Sequence, residues 1–269
     1  MPVDEEAGSG AAFSQSLERG LMILSSFDET RPVLGIADIS RAVTLNKSTT
    51  HRYVATLTRL GYLQQDPETK KYSLGPKVVD LGFAALDSLE INRVAAPCLQ
   101  NLADETGYTV SMAILDGPDI VYVERRRSGR PVGGFAIGLN LHVGSRLPAY
   151  CTSMGKVLLA HQEPAVLRRL LDRTDFARRG PKTLTNREQL MAALAKIRQT
   201  GVSVNDEELA SGLRSVAAPV RDRTGRVVAA VNIAVHLTVW STSADAVVAR
   251  LERPLRQCTA EISTRLGHR

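Results

Sequence analysis

The side chains best equipped for chemistry in this sequence lie between Lys47 and Lys71. Lys47, Ser48, Thr49, His51, Arg52 and Arg59 recur at spacings that a helix would gather toward one side, and Lys70 and Lys71 close the stretch. Such groups recognise rather than cut: Ser48, Thr49, His51 and Arg52 suit base edges, whereas Lys47, Arg59, Lys70 and Lys71 suit phosphates. Between Asp38 and Asp66 there is no carboxylate, while Arg41, Lys47, His51, Arg52 and Arg59 all fall inside that span. A polyanion favours such a stretch, because each neutralised phosphate releases counterions and a nearby acid opposes the gain.

Catalysis finds no comparable support. No GxSxG, HExxH or GxGxxG with strand and helix context is present. Met154-Gly155-Lys156-Val157 lacks the upstream glycine and the hydroxyl that a phosphate loop needs. Away from His51, the histidines are isolated, and Asn205-Asp206-Glu207-Glu208 reads as an acidic surface turn rather than a metal site. The expectation is a protein that is not an enzyme and needs no cofactor or metal.

The elements that must position the basic residues follow from periodicity. Ile36, Ile39 and Val43 make a short amphipathic helix, and Thr44-Leu45-Asn46 breaks it. Asn46 then suits the cap of a second helix ending at Gly61. In that helix Thr50, Tyr53, Val54, Leu57 and Leu60 share one side; Ser48, Arg52, Ala55 and Arg59 share the other, flanked by Thr49, His51 and Thr56. Tyr62 to Gln65, the turn formers Asp66-Pro67-Glu68-Thr69, and Lys70 to Leu74 predict a hairpin. Two helices and a β-ribbon make a helix-turn-helix with a wing.

The run from Ile39 to Arg52, with Leu60-Gly61-Tyr62-Leu63 and Tyr72-Ser73-Leu74-Gly75, resembles the winged helix of IclR-type transcriptional regulators. The likeness continues through Leu147 to Lys156 and through Asp206 to Arg214, and so covers nearly the whole chain. The LPAYCTSMGKVLLA segment is most similar to the subgroup governing breakdown of aromatic acids by the β-ketoadipate route. The resemblance implies an α+β protein: an N-terminal winged helix-turn-helix, a linker helix, and a C-terminal GAF-like effector-binding domain with an antiparallel sheet flanked by helices. It places a small-molecule pocket at Ser153, Met154, Asn205, Ser215, Asn232 and Ala234. Arg146 and Arg214 stand close in sequence and suit either a charge in that pocket or a structural role.

Composition sets wider bounds. The 269 residues suit one large or two ordinary domains, the hydrophobic fraction of 43% is that of a globular protein, and the net charge of +6 permits a polyanionic partner. Aromatics at 4% argue against a stacking platform for single strands. Three dispersed cysteines, Cys98, Cys151 and Cys258, form no disulfide framework, and no apolar run approaches a membrane span, so a cytoplasmic location is expected.

Residues 1–13 read as a disordered tail, 14–76 as the winged helix-turn-helix domain, 77–92 as the linker helix, and 93–269 as the effector-binding and oligomerisation domain. Leu17, Leu21, Leu24 and Phe27 predict one face of a first helix; in the family this helix helps pair two DNA-binding domains. A helix is expected from about Val94 to Thr106, and strands over 108–115 and 120–124 around the turn Asp116-Gly117-Pro118-Asp119. Arg125, Arg126, Arg127 and Arg130 are assigned to a solvated loop, and strand character returns from Val132 to Val143. Helices are expected at 153–161 and 164–172, then one opening at Thr185 with Glu188 as a capping box. Strands at 202–204, 214–221 and 226–236 and a helix over 244–266, kinked or broken at Pro254, complete the chain.

The combined reading is a sequence-specific regulator that binds a double-stranded operator as a homodimer, with tetramers left open. Its small organic-acid effector would be aromatic or dicarboxylic. The alternative is a ligand-binding enzyme or sensor whose N-terminal part is a protein-docking module.

Overall fold

A computed structural model describes residues 13–28, 30–88, 90–130, 141–236 and 244–268. The chain divides into two compact units, Met1–Ser88 and Leu89–Arg269.

In the first unit, helices α1 (Gln15–Leu24), α2 (Ile36–Ala42) and α3 (Lys47–Arg59) precede the hairpin β1 (Leu63–Gln65) and β2 (Tyr72–Leu74), and α4 (Pro76–Ser88) follows. Ile23, Phe27, Leu34, Ile39, Val43, Val54, Leu63 and Tyr72 form its core. The hairpin is tied in by Leu34, which pairs with Tyr72 through both backbone bonds at 2.9 and 2.8 Å. Gly75 is required where β2 leaves the ribbon, since a Cβ there would collide with the carbonyl of Gly61.

The face expected of α1 is corrected at its start and holds at its end. Leu17 and Leu21 are 64% and 55% exposed, and the core residue is Ile23. Ile23 turns inward with Leu24 packed against the core and Phe27 inside it, so only the N-terminal half of the expected stripe, Leu17 and Leu21, lies off the core. Leu60 is likewise exposed, because it caps α3 instead of continuing its inner face.

The second unit is a six-stranded antiparallel sheet in the order β5-β4-β3-β8-β7-β6. Its strands are β3 (Thr109–Asp116), β4 (Asp119–Arg126), β5 (Arg146–Pro148), β6 (Ser203–Asp206), β7 (Leu213–Arg221) and β8 (Val227–His236). Helices α5 (Glu90–Thr106) and α9 (Ala244–Arg265) pack on each other and on one face. Against the other lies α6 (Ser153–Ala160), backed by α7 (Pro164–Asp172) and α8 (Arg187–Thr200). Helix α6 is buried along its whole length, and the strands that it crosses offer small residues, Ala113, Ala217 and Ala230, which let its backbone come close.

Three local expectations change. Asn186, not Thr185, caps α8, accepting the Gln189 N–H at 2.9 Å, although Gly201 ends it in the left-handed region as expected. Residues 132–140 of the expected strand lie outside the described residues; Leu141 to Val143 are not strand, and the sheet edge is formed by β5. Pro254 lies inside α9 without ending it.

Candidate functional site

The basic face is carried by α3 and the hairpin. The Asn46 side chain accepts the Thr49 N–H at 2.8 Å and starts α3, while Thr44, at φ 54°, makes the tight connection from α2. Buried Thr50 and Val54 fix the inner side of the helix. Lys47, Ser48, His51, Arg52 and Arg59 are exposed and Thr49 is half-buried, so the outer face is open along its length.

In the wing, Asp66 accepts the N–H groups of Glu68 (3.0 Å) and Thr69 (2.6 Å) and the Thr69 hydroxyl (2.8 Å), which holds its carboxyl below the usual range. That turn presents Lys70 and Lys71, both exposed. The structure thus places all eight expected DNA-contacting residues on accessible positions of one small unit.

A second site lies where α6 begins against the sheet. Gly155 is forced there, because a Cβ would strike the Ala149 backbone and the Thr152 hydroxyl that caps the helix. Ser153 and Ser215 share a hydrogen bond at 2.7 Å, and Met154 is buried beside them. Ser215 pairs in register with Ala234 on β8 and with Asn205 on β6, so five of the six expected residues come together around the head of α6. Asn205 has both ends of its amide engaged: Nδ2 donates to the Cys151 carbonyl at 2.6 Å, and Oδ1 accepts the Glu208 N–H at 3.2 Å. It positions the loop that carries the site. Asn232 is buried one row further along β8, and its Oδ1 has no partner among the described residues.

Lys156 is buried and donates to the Val204 carbonyl at 3.0 Å and to the carboxylate of Glu208. Its amine therefore braces α6 against β6 and is not offered to a phosphate. Burial pushes the Glu208 carboxyl upward while Lys156 pulls it back.

The arginines separate. Arg146 forms a surface ion pair with Asp116 at 2.8 Å, and Arg214 pairs with Asp206 at 2.6 Å. Arg125 and Arg126 belong to β4 and not to a loop, which corrects the sequence-based assignment. Arg126 pairs with Glu124 at 3.1 Å; Arg125 instead donates to the Ser111 hydroxyl at 3.0 Å, and burial depresses its pKa. A run of three arginines gave no sign of which one the sheet takes in.

Among the described residues no group of three or more His, Cys, Asp or Glu is placed to hold a metal, and no helix is long and apolar enough to cross a membrane. An open basic helix with a wing, joined in one chain to a sheet whose buried polar row meets a helix start, defines a transcription regulator with a separate ligand-binding unit.

The comparisons agree. The IclR helix-turn-helix domain matches residues 16–67, and the C-terminal domain of the bacterial transcriptional regulator IclR matches residues 83–264. The Pca regulon regulatory protein of Pseudomonas putida is 40% identical over 225 residues, 84% of this chain and 75% of that one. The regulator XynR of Escherichia coli is 39% identical over 254 residues, 94% and 98% of the two chains. Among solved structures, an IclR homolog of Microbacterium hydrocarbonoxydans in complex with 4-hydroxybenzoate superposes with a TM-score of 0.80 at 26% identity, covering 94% of this chain and 99% of that one. The chain belongs to the IclR family of DNA-binding transcriptional regulators, which are not enzymes.

Proposed function

We propose that two copies of this chain insert their α3 helices into successive major grooves of a near-palindromic operator, and that a small organic acid bound at the head of α6 alters that binding. The observation that carries the proposal is the open outer face of α3, with Ser48, Thr49, His51 and Arg52 toward base edges and Lys47, Arg59, Lys70 and Lys71 toward phosphates.

Pairing is supported by the uncovered apolar residues of the first unit: Leu17 and Leu21 on α1, and Val79, Leu81 and Phe83 on α4. The antiparallel sheet with helices on both faces supports a GAF-like reading of the second unit. The Pca-regulon relative and the 4-hydroxybenzoate complex support an aromatic acid as effector and a role in aromatic or related carbon catabolism, in the cytoplasm. An effector shifts the regulator only by binding its two states unequally.

The test is selection of bound duplexes from a randomised pool, then anisotropy titrations of the winner and of a scrambled duplex at several salt concentrations. A near-palindromic winner bound far more tightly than the scramble, with affinity falling linearly on a log scale as salt rises, is expected. Equal affinity for the two duplexes overturns the reading.

A further inference from the structure

Ser111 of β3 stands in register with Arg125 on β4 and with Asn232 on β8, and Asn232 stands in register with Ala217 on β7. Register partners project from the same face of a sheet. Ala217 packs in the same core as α6, as do Ala113 and Ala230, each two residues from Ser111 and Asn232 on their strands. The row Arg125–Ser111–Asn232 therefore lies on the α6 face, next to the row that contains Ser215 and its bond to Ser153.

Arg125 reaches that face through an irregularity. Tyr122 of β4 belongs to the α6-side core, so strict alternation would send Arg125 to the opposite side. The register jumps from Met112↔Glu124 to Ala113↔Tyr122, leaving Val123 unopposed. A bulge of this kind re-aims every later side chain of its strand, and such bulges gather beside functional sites.

Two atoms of the row are unsatisfied. The Nε of Arg125 and the Oδ1 of Asn232 are buried without a hydrogen-bond partner, and the neighbouring Glu124 carboxylate bonds the backbone N–H of Arg125 and the Arg126 side chain instead of the Arg125 guanidinium. Asn232 itself is only 6% exposed. A buried polar atom left without a partner keeps its desolvation penalty uncompensated, and a guanidinium more so, so both call for a partner that the chain does not supply.

We infer that Arg125, Ser111 and Asn232 form the polar floor of the effector site and select a carboxylate that also bears a hydroxyl group. The inference rests on the proposal that a small organic acid binds at the head of α6. Ser111 holds Nη1 of the guanidinium, which leaves the Nε–H edge, with Nη2 beside it, as a side-on fork that matches two carboxylate oxygens. The amide oxygen of Asn232 accepts and cannot donate, so it requires a hydroxyl or N–H from the ligand. Arg125 and Asn232 lie two strands apart, roughly 10 Å at the backbone. The Arg125 side chain leans across β3 and shortens that span. A carboxylate and a hydroxyl at opposite ends of a flat apolar spacer fit it, with Tyr122 and Met154 as apolar walls from the same core.

The test is titration calorimetry of the full-length protein with three probes: 4-hydroxybenzoate, benzoate without the hydroxyl, and phenol without the carboxylate. For the wild type, 4-hydroxybenzoate is expected to bind at least tenfold more tightly than either truncated probe. Arg125→Gln should weaken 4-hydroxybenzoate and benzoate at least tenfold, and Arg125→Lys, which keeps the charge but not the fork, should recover only part. Asn232→Ala should bring 4-hydroxybenzoate to the affinity of benzoate while leaving benzoate unchanged, a selective effect that general damage to the fold would not produce. Wild-type affinity in Arg125→Gln, or binding of none of the three probes by the wild type, overturns the inference. A thermal-shift panel of unhydroxylated acids separates the causes: if such an acid binds the wild type, the small-acid reading stands and only this selectivity falls; if no acid binds, both fall.

Discussion

Arg52 and Lys156 are both cations on helices, and they are put to opposite uses. Arg52 is exposed on the outer side of α3, whereas Lys156 is 3% exposed in α6 with its amine spent on the Val204 carbonyl and the Glu208 carboxylate. The first unit keeps its charges outside, where a partner can claim them at little cost to the fold. The second buries its charge to brace a helix and leaves other polar atoms unpaired around that helix's start. Fold and function are separable in one surface and shared in the other.

The sharpest way to break that contrast is to remove each cation in turn. Lys156→Met leaves Glu208 buried without its counter-ion and should destabilise the second unit by about 3–5 kcal/mol, read as a drop in melting temperature. The loss should depend on pH with a definite sign. Burial already raises the Glu208 carboxyl, and removing Lys156 removes the main influence that lowers it. A group whose folded-state pKa lies above its unfolded value contributes its stability below the unfolded pKa and loses it as pH rises through the folded one. The deficit of the variant relative to wild type should therefore widen between pH 5 and pH 8. A deficit of equal size at both values would show that Glu208 is not the group left stranded.

Arg52→Ala is the matching experiment on the open face. Loss of one base contact should weaken the selected operator by about 1–3 kcal/mol, roughly fivefold to 150-fold, and relax sequence preference at a single position. The melting temperature should stay within what a change of about 0.5 kcal/mol allows. A variant that melts early, or that weakens all duplexes equally, would move Arg52 from reading bases to holding the fold or the backbone.

The same contrast explains what sequence reasoning could reach. The helix pair, the wing and the exposure of the outer face of α3 were legible, because cap, period and the acid-free span are local properties of about thirty residues. Strand limits around Gly117 and Gly225 were legible for the same reason, each turn carrying its own residue chemistry. Arg125 was not. Its inward direction depends on a bulge set by the partner strand, and three consecutive arginines look alike until register is known. Likewise the free oxygen of Asn232 and the fully engaged amide of Asn205 are indistinguishable in sequence; only the packing of β6 and β8 against the segment entering α6 separates them. Leu17 and Leu21 of α1 failed differently: their spacing is helical, and Leu24 and Phe27 of the same stripe do reach the core, but periodicity does not say where along a helix the packing begins.

The smallest expected effect tests whether the open face is as independent of the fold as Arg52 suggests. Lys70 sits at the wing tip with φ 58°, in the left-handed region that a β-carbon disfavours by roughly 1–2 kcal/mol, its N–H bonded to the Asp66 carbonyl at 3.0 Å. Glycine relieves that strain but gives the unfolded chain more freedom, which offsets roughly 0.4–1 kcal/mol. Lys70→Gly should thus leave the protein slightly more stable, by up to about 1 kcal/mol, while the slope of log affinity against log salt falls by about 0.9 for one lost phosphate contact. Lys71→Ala, in the extended strand approach where no strain is relieved, should lower the slope similarly with no gain in stability. If Lys70→Gly gains stability and loses no slope, the wing does not touch the backbone and the basic face ends with α3. If it loses slope, the first unit holds a strained lysine in a position glycine would suit better, and the charge is the physical reason for keeping it there.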